Sequence, residues 1–215
     1  MTYQSLLSEL ENSNTTLVAV SKTKPASAIQ ELYDSGQKIF GENRVTEMVD
    51  KYNVLPKDIK WHMIGHLQKN KVKYMAHFVD MIHSVDNKKL LETINQQAAK
   101  HERIIDVLLQ IKIAKEDTKT GWTYSDLLDL AKEGVLTSYK NVNIRGVMGM
   151  ATFTDDTAQV RKEFGSLKQY FDELSDILHL PNFDTVSMGM SGDYEIAIAE
   201  GSNMVRIGSL LFGAR

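Results

Sequence analysis

The sequence predicts an α/β fold, a (β/α)8 TIM barrel with an N-terminal extra helix, forming one domain over residues 1–215. Three observations carry this reading. Short apolar runs rich in β-branched residues alternate with helical patterns from one end of the chain to the other. No Gly-x-Gly-x-x-Gly follows the first run, where an open doubly wound sheet would place a dinucleotide site. Glycine and polar residues recur directly after the runs, on the side where a barrel carries its functional groups.

A short helix is expected at residues 3–11, before the first strand. The strands are expected at Thr16–Ser21, Lys38–Phe40, Lys60–Ile64, Val79–His83, Ile105–Ile113, Val142–Met148, Asp184–Ser187 and Met204–Ile207. Between them, helical spacing predicts helices near Ala26–Ser35, Arg44–Tyr52, Lys69–His77, Lys88–His101, Tyr124–Glu133, Thr157–Leu178 and Asp193–Ala199. Asn87 and Ser125 suit N-caps, and Gly36, Gly134 and Gly201 suit helix stops. No linker, low-complexity tract or internal repeat interrupts the series.

Composition narrows the function classes. At 215 residues, with 42% hydrophobic and 25% charged, the chain has material for a substantial core. A formal charge of -3 gives no basis for nucleic-acid binding. The apolar runs are too short for a membrane span, and the N-terminus lacks a signal-peptide pattern. The absence of cysteine fits a reducing compartment, so a cytoplasmic protein is expected. Scattered histidines without ligand spacing predict no metal site.

The chemistry begins at Lys22, which ends the run Leu17-Val-Ala-Val-Ser-Lys22. Strand alternation puts Lys22, Val20 and Val18 on one face, so the amine is presented from a rigid element. An amine drawn out of water tends to lose its charge and act as a nucleophile. Ser191-Gly192 and Gly208-Ser209 follow the last two strands, where barrels commonly bind phosphate with exposed backbone amides. A nucleophilic lysine facing a phosphate cradle suits a phosphorylated aldehyde held as a Schiff base. Arg206 alternates inward with Met204 and Gly208, where its guanidinium would meet the ring nitrogen of pyridoxal phosphate. Asn43 is placed to meet the ring's phenolate oxygen. A Schiff-base aldolase acting on a sugar phosphate also suits a lysine and a phosphate site, although Arg206 counts against it.

Val20-Ser-Lys22-Thr-Lys-Pro25, Phe40-Gly-Glu-Asn43, Trp61-His-Met-Ile-Gly65-His-Leu-Gln68, Met188-Gly-Met-Ser191, Val205-Arg-Ile-Gly208 and Phe212-Gly-Ala-Arg215 together resemble the pyridoxal phosphate homeostasis protein family. The likeness runs from about Leu17 to Arg215 and implies a relative of the barrel domain of bacterial alanine racemase. It implies pyridoxal 5'-phosphate on Lys22, with Ser191, Gly192, Gly208 and Ser209 at its phosphate and Arg206 at the pyridine nitrogen. Asn43 then lies near the ring hydroxyl and Ile64 against a ring face, with His66 and Met150 as secondary neighbours.

Arginine opposite the ring nitrogen keeps that nitrogen unprotonated, which makes a weaker electron sink than a carboxylate partner would. In racemases a second domain supplies the opposing acid or base across a dimer interface, and this sequence ends at Arg215. The expectation is therefore a monomeric carrier that stores pyridoxal phosphate and delivers it to dependent apoenzymes, with no membrane or nucleic-acid partner. The alternative is a pyridoxal-phosphate-dependent amino-acid racemase-like enzyme, with Tyr194 or His66 as its local base. Glu42 and Asp193 are expected to be a loop carboxylate and a helix-start acid.

Overall fold

A computed structural model describes residues 2–115 and 120–213. The chain folds as a closed parallel barrel in the order β1 to β8. The strands are β1 (Thr16–Val20), β2 (Ile39–Glu42), β3 (Lys60–Met63), β4 (Met81–Val85), β5 (Ile105–Gln110), β6 (Val142–Met148), β7 (Thr185–Met190) and β8 (Met204–Ile207). The helices are α1 (Tyr3–Asn12), α2 (Ala26–Asp34), α3 (Val45–Val54), α4 (Lys88–Lys100), α5 (Tyr124–Lys132), α6 (Thr157–Leu178), α7 (Tyr194–Ala199) and α8 (Ser209–Phe212). This is the expected barrel with its extra helix α1.

Local signals account for most of the boundaries. Thr2 and Ser5 form a reciprocal capping box at the start of α1. The Asn87 carboxamide accepts from the Leu90 amide at 2.9 Å and starts α4. Gly36, Gly134 and Gly201 all have positive φ just beyond α2, α5 and α7, as helix stops should.

Four expectations shift. The cap of α5 is Thr123, whose hydroxyl accepts from Asp126, while Ser125 lies inside the first turn. The Lys69–Tyr74 segment is a 3-10 helix, six residues long, in place of the expected α-helix. Val79 donates back to Met75 at the end of that segment, so β4 begins two residues later, at Met81. The fifth strand ends at Gln110, and Ile111 continues only as an isolated bridge to Trp122.

The main apolar core lies between the strands and the surrounding helices, with Phe40, Trp61, Met48, Leu90 and Phe164 fully buried there. The lumen has its own smaller cluster of Val18, Met81, Leu108, Met148 and Met204. Barrel lumens are usually filled by layers of branched aliphatics. Here His62, His83, Ser187 and Arg206 also occupy buried inward positions. Alternation on β1 follows the expected parity, because Val18 packs in the lumen while Ala19 packs against the outer helices. Closure comes from β1 against β8, which pairs Val18 with Arg206.

Candidate functional site

A cleft of about 360 Å³ opens at the C-terminal ends of the strands. Lys22, Asn43, Ile64, Ser191, Gly192, Arg206, Gly208 and Ser209 all line it. Met150 stands among them as well. His66 does not; it lies at the surface with Nδ1 3.3 Å from the Asp86 carboxylate. Tyr194 is buried in the cluster under α1, its hydroxyl 3.3 Å from Glu9 and from Glu195.

The loop carrying Lys22 is fixed on both sides. Ser21 continues the ladder by donating its amide to the Gly41 carbonyl at 3.0 Å, and its hydroxyl donates to Glu42 Oε1 at 2.6 Å. Thr23 adopts φ of 64°, a left-handed conformation that costs a β-branched residue about 1–3 kcal/mol. The Glu47 carboxylate holds it there by accepting its amide at 2.5 Å. Lys51 joins these parts, donating to the Ser21 carbonyl at 2.8 Å and to Glu42 and Glu47, each at 2.7 Å. Glu42 is thus a fully buried member of an ion-pair network behind the loop, not the loop carboxylate expected. Its burial raises the carboxyl above the ordinary carboxylate range, against the opposing hydrogen bonds from Lys51 and Ser21.

Among the described residues, no hydrogen bond or ion pair holds the Lys22 amine. Lys24 is different: its Nζ donates to the carbonyls of Phe212 at 2.9 Å and Gly213 at 3.3 Å. A cation at the C-terminal end of α8 satisfies carbonyls that have no intrahelical donor. The two neighbouring lysines therefore do separate things.

Across the cleft, β7 and β8 deliver the cradle. The Gly208 amide donates to the Ser191 hydroxyl at 3.3 Å, joining the two loops. The amides of Ser209 and Leu210 precede the first bonds of α8, which run from Leu211 and Phe212 to the Gly208 carbonyl. A Cβ added at Gly192 would meet nothing within 4 Å, so the backbone there faces open space. Asp193 accepts from the Met190 amide at 2.6 Å and is the helix-start acid expected. Gly65 serves the opposite purpose, since a Cβ there would lie 2.4 Å from the Asn43 carbonyl oxygen. Only glycine lets the loop after β3 press against the loop after β2 and set the place of Asn43.

Arg206 is 4% exposed and projects across the lumen. It donates to the Ser187 carbonyl at 2.9 Å, the Ser187 hydroxyl at 2.7 Å and the Gly149 carbonyl at 3.0 Å. These acceptors are neutral, and burial lowers its pKa to about 10, with Asp193 opposing the shift. Sequence reasoning missed Ser187 and the Lys51 network. Ser187 carries a legible signal, because strand alternation puts it on the face opposite Met188, which packs in the outer core.

The donor set fits pyridoxal phosphate: a free amine, two hydroxyls, open backbone at a short helix and a guanidinium, all around one cleft. A family profile described as "Alanine racemase, N-terminal domain" matches residues 2–215. A "Pyridoxal phosphate homeostasis protein" of Pasteurella multocida is 40% identical over 202 residues, 93% of this chain and 86% of the relative. A protein of the same name from Aquifex aeolicus is 41% identical over the same shares of both chains. The structure of PipY from Synechococcus elongatus without pyridoxal phosphate superposes with a TM-score of 0.91 at 38% identity, covering 98% of this chain and 97% of that one. PipY with pyridoxal phosphate bound gives 0.85 at 36% identity, covering 96% and 98%. Alanine racemase from Bartonella henselae shares the fold, with a TM-score of 0.72 at 16% identity over 97% of this chain and 57% of its own. By profile, by sequence and by structure, the chain belongs to the family of the alanine racemase N-terminal domain, alongside the pyridoxal phosphate homeostasis proteins.

Proposed function

We propose that this protein binds pyridoxal 5'-phosphate as a Schiff base on Lys22 and serves its homeostasis, storing it and delivering it to dependent apoenzymes. The observation that carries the reading is the Lys22 amine, without a hydrogen bond or ion pair among the described residues, lining one cleft with the Ser191 and Ser209 loops. Lys22 supplies the nucleophile, and Ser191, Gly192, Gly208 and Ser209 supply phosphate donors through hydroxyls and backbone amides. Arg206 faces the pyridine nitrogen, Asn43 meets the phenolate oxygen and Ile64 packs against the ring. The relative PipY with pyridoxal phosphate bound supports the choice of ligand.

When bound, the cofactor supplies an aldehyde and an electron-withdrawing ring. Arg206 limits the second property, because a fixed guanidinium disfavours a proton on the nitrogen it faces. Tyr194 and His66, the local bases that a racemase-like reading would use, both lie outside the cleft. Both points support a carrier over a catalyst, and one binding domain suffices for that work.

Visible absorbance of the purified protein, before and after reconstitution with pyridoxal phosphate and reduction by borohydride, tests the reading. A visible band that borohydride removes is the expected result. A protein that stays colourless and takes up no cofactor overturns it.

A further inference from the structure

The lumen carries a line of polar groups that the proposed cleft does not by itself require. Arg206 Nη1 donates to Ser187 Oγ at 2.7 Å, and Ser187 Oγ lies 3.1 Å from His83 Nδ1. His83 Nε2 lies 2.9 Å from His62 Nδ1, and His62 Nε2 lies 3.5 Å from the Asp80 carboxylate. Arg206, Ser187, His83 and His62 are all buried, whereas the Asp80 side chain is 42% exposed. Arg206 lines the cleft at one end of the barrel. His62 and Asp80 line a polar cavity of about 540 Å³ at the other end, with Lys60, Asp106, Arg145 and Asp184. The line therefore crosses the barrel from mouth to base.

We infer that His62, His83 and Ser187 form a one-way hydrogen-bond relay that orients the Arg206 guanidinium, with Asp80 as its negative end. The inference rests on the reading of Arg206 as the group that faces the cofactor ring. Its polarity follows from the two ends. A guanidinium only donates, so Ser187 Oγ accepts from it and keeps its own proton for His83 Nδ1. A neutral His83 must then carry its proton on Nε2 and donate to His62 Nδ1. His62 in turn carries its proton on Nε2, where the only charge ahead of it on the line is the Asp80 carboxylate. Reversing both rings would aim a lone pair of His62 at that carboxylate and leave the Ser187 proton without its acceptor. An aliphatic lumen would avoid these desolvation costs, so the polar line has a use in aiming the cation.

His62, His83 and Ser187 are thus positioning residues, which act on a ligand only through Arg206. The test begins with the cofactor-free full chain, labelled with 15N in its histidines. NMR correlation of ring nitrogens with carbon-bound protons reports each tautomer. The expected result is a neutral ring protonated at Nε2 for both His62 and His83 near pH 7.5. In Asp80→Leu, at a half-exposed position, the Arg206–Ser187 end should still hold both rings in this tautomer, whereas Asp80→Leu/Ser187→Ala removes both ends of the line and the other tautomer should appear at His62 and His83. A His83 protonated at Nδ1, a doubly protonated His62, or tautomers unchanged in Asp80→Leu/Ser187→Ala overturns the relay. A second arm measures pyridoxal phosphate binding. Ser187→Ala should weaken it about threefold to tenfold, the worth of one hydrogen bond, with the thermal midpoint of the free protein little changed. Unaltered affinity in Ser187→Ala overturns the orienting role. A wild-type protein that takes up no pyridoxal phosphate would instead refute the proposed function, and the tautomers of the free protein would still decide the relay.

Discussion

Lys51 donates its ammonium to the carbonyl of Ser21, at 2.8 Å, and so grips the residue immediately before Lys22 from behind the barrel wall. The grip is tight because Lys51 is itself buried between Glu42 and Glu47. Removing one partner of a buried pair leaves the other charge desolvated and costs about 3–5 kcal/mol. Lys51→Met should therefore destabilise the fold by about 3 kcal/mol, read by urea denaturation. It should also free the left-handed Thr23 and slow cofactor uptake at Lys22. Glu42→Gln keeps an acceptor for Ser21 and should cost less than Glu42→Ala; equal losses would show that the network contributes only volume.

Lys22 and Lys24 should separate cleanly in a chemical experiment. After incubation with pyridoxal phosphate and borohydride, peptide mapping should find the pyridoxyl group on Lys22 and none in Lys22→Ala. Some non-covalent cofactor should remain in that variant, because the phosphate donors are untouched. Lys24→Ala should retain the label while losing about 0.5–1 kcal/mol of stability with the cap of α8. A label on Lys24 would refute the assignment.

Gly192, which lines the cleft, and Gly65, which packs behind Asn43, should respond in opposite ways. Gly65→Ala puts a Cβ at 2.4 Å from the Asn43 carbonyl, so the loops must part and the melting temperature should fall. Gly192→Ala meets open space and should stay within about 0.5 kcal/mol of wild type. It should nevertheless weaken pyridoxal phosphate, and inorganic phosphate as a competitor, by crowding the cradle. Isothermal titration with both ligands checks this.

Acid should weaken the fold through His83. Burial, reinforced by the nearby Arg206 cation, holds its pKa well below the ordinary value, while the unfolded chain binds a proton near pH 6.5. The unfolded state then binds more protons, so this contribution to stability is present above about pH 6.5 and declines as pH falls towards the depressed folded value. One proton gives a slope of at most about 1.4 kcal/mol per pH unit. Denaturation midpoints at pH 7.5 and 5.0 should differ accordingly, and His83→Gln should flatten the dependence.

The barrel was legible because its strands repeat one apolar pattern eight times and glycines or caps punctuate the helices between them. The cleft was legible because its groups follow the strands directly in sequence: Lys22 after β1, Asn43 after β2, Ile64 after β3, Ser191 after β7. The Lys51 network was not, since a lysine on a helix ordinarily reads as solvated and only the packing of α3 on the barrel turns it inward. His62 and His83 show the intermediate case. Their inward parity could be read from strand alternation, but their pairing depends on the relative heights of β3 and β4. The observed register sets His62 beside Met81, and the expected start of β4 at Val79 did not give it. Boundaries of that kind depend on tertiary packing more than on local propensity.

The pairing of Val18 with Arg206 joins the first strand of the barrel to its last. On a ribosome the Lys22 amine emerges with β1, yet the guanidinium and the Ser209 loop follow only after β2 to β7 have been made. Such a long closure is slow relative to local helix formation, and a nascent chain would expose the edges of β1 and β7 until β8 arrives. The cleft therefore exists only once β8 has closed the barrel against β1. Cofactor uptake would report a finished barrel, and a chain cut short before β8 would carry the reactive lysine without the surroundings that make it selective.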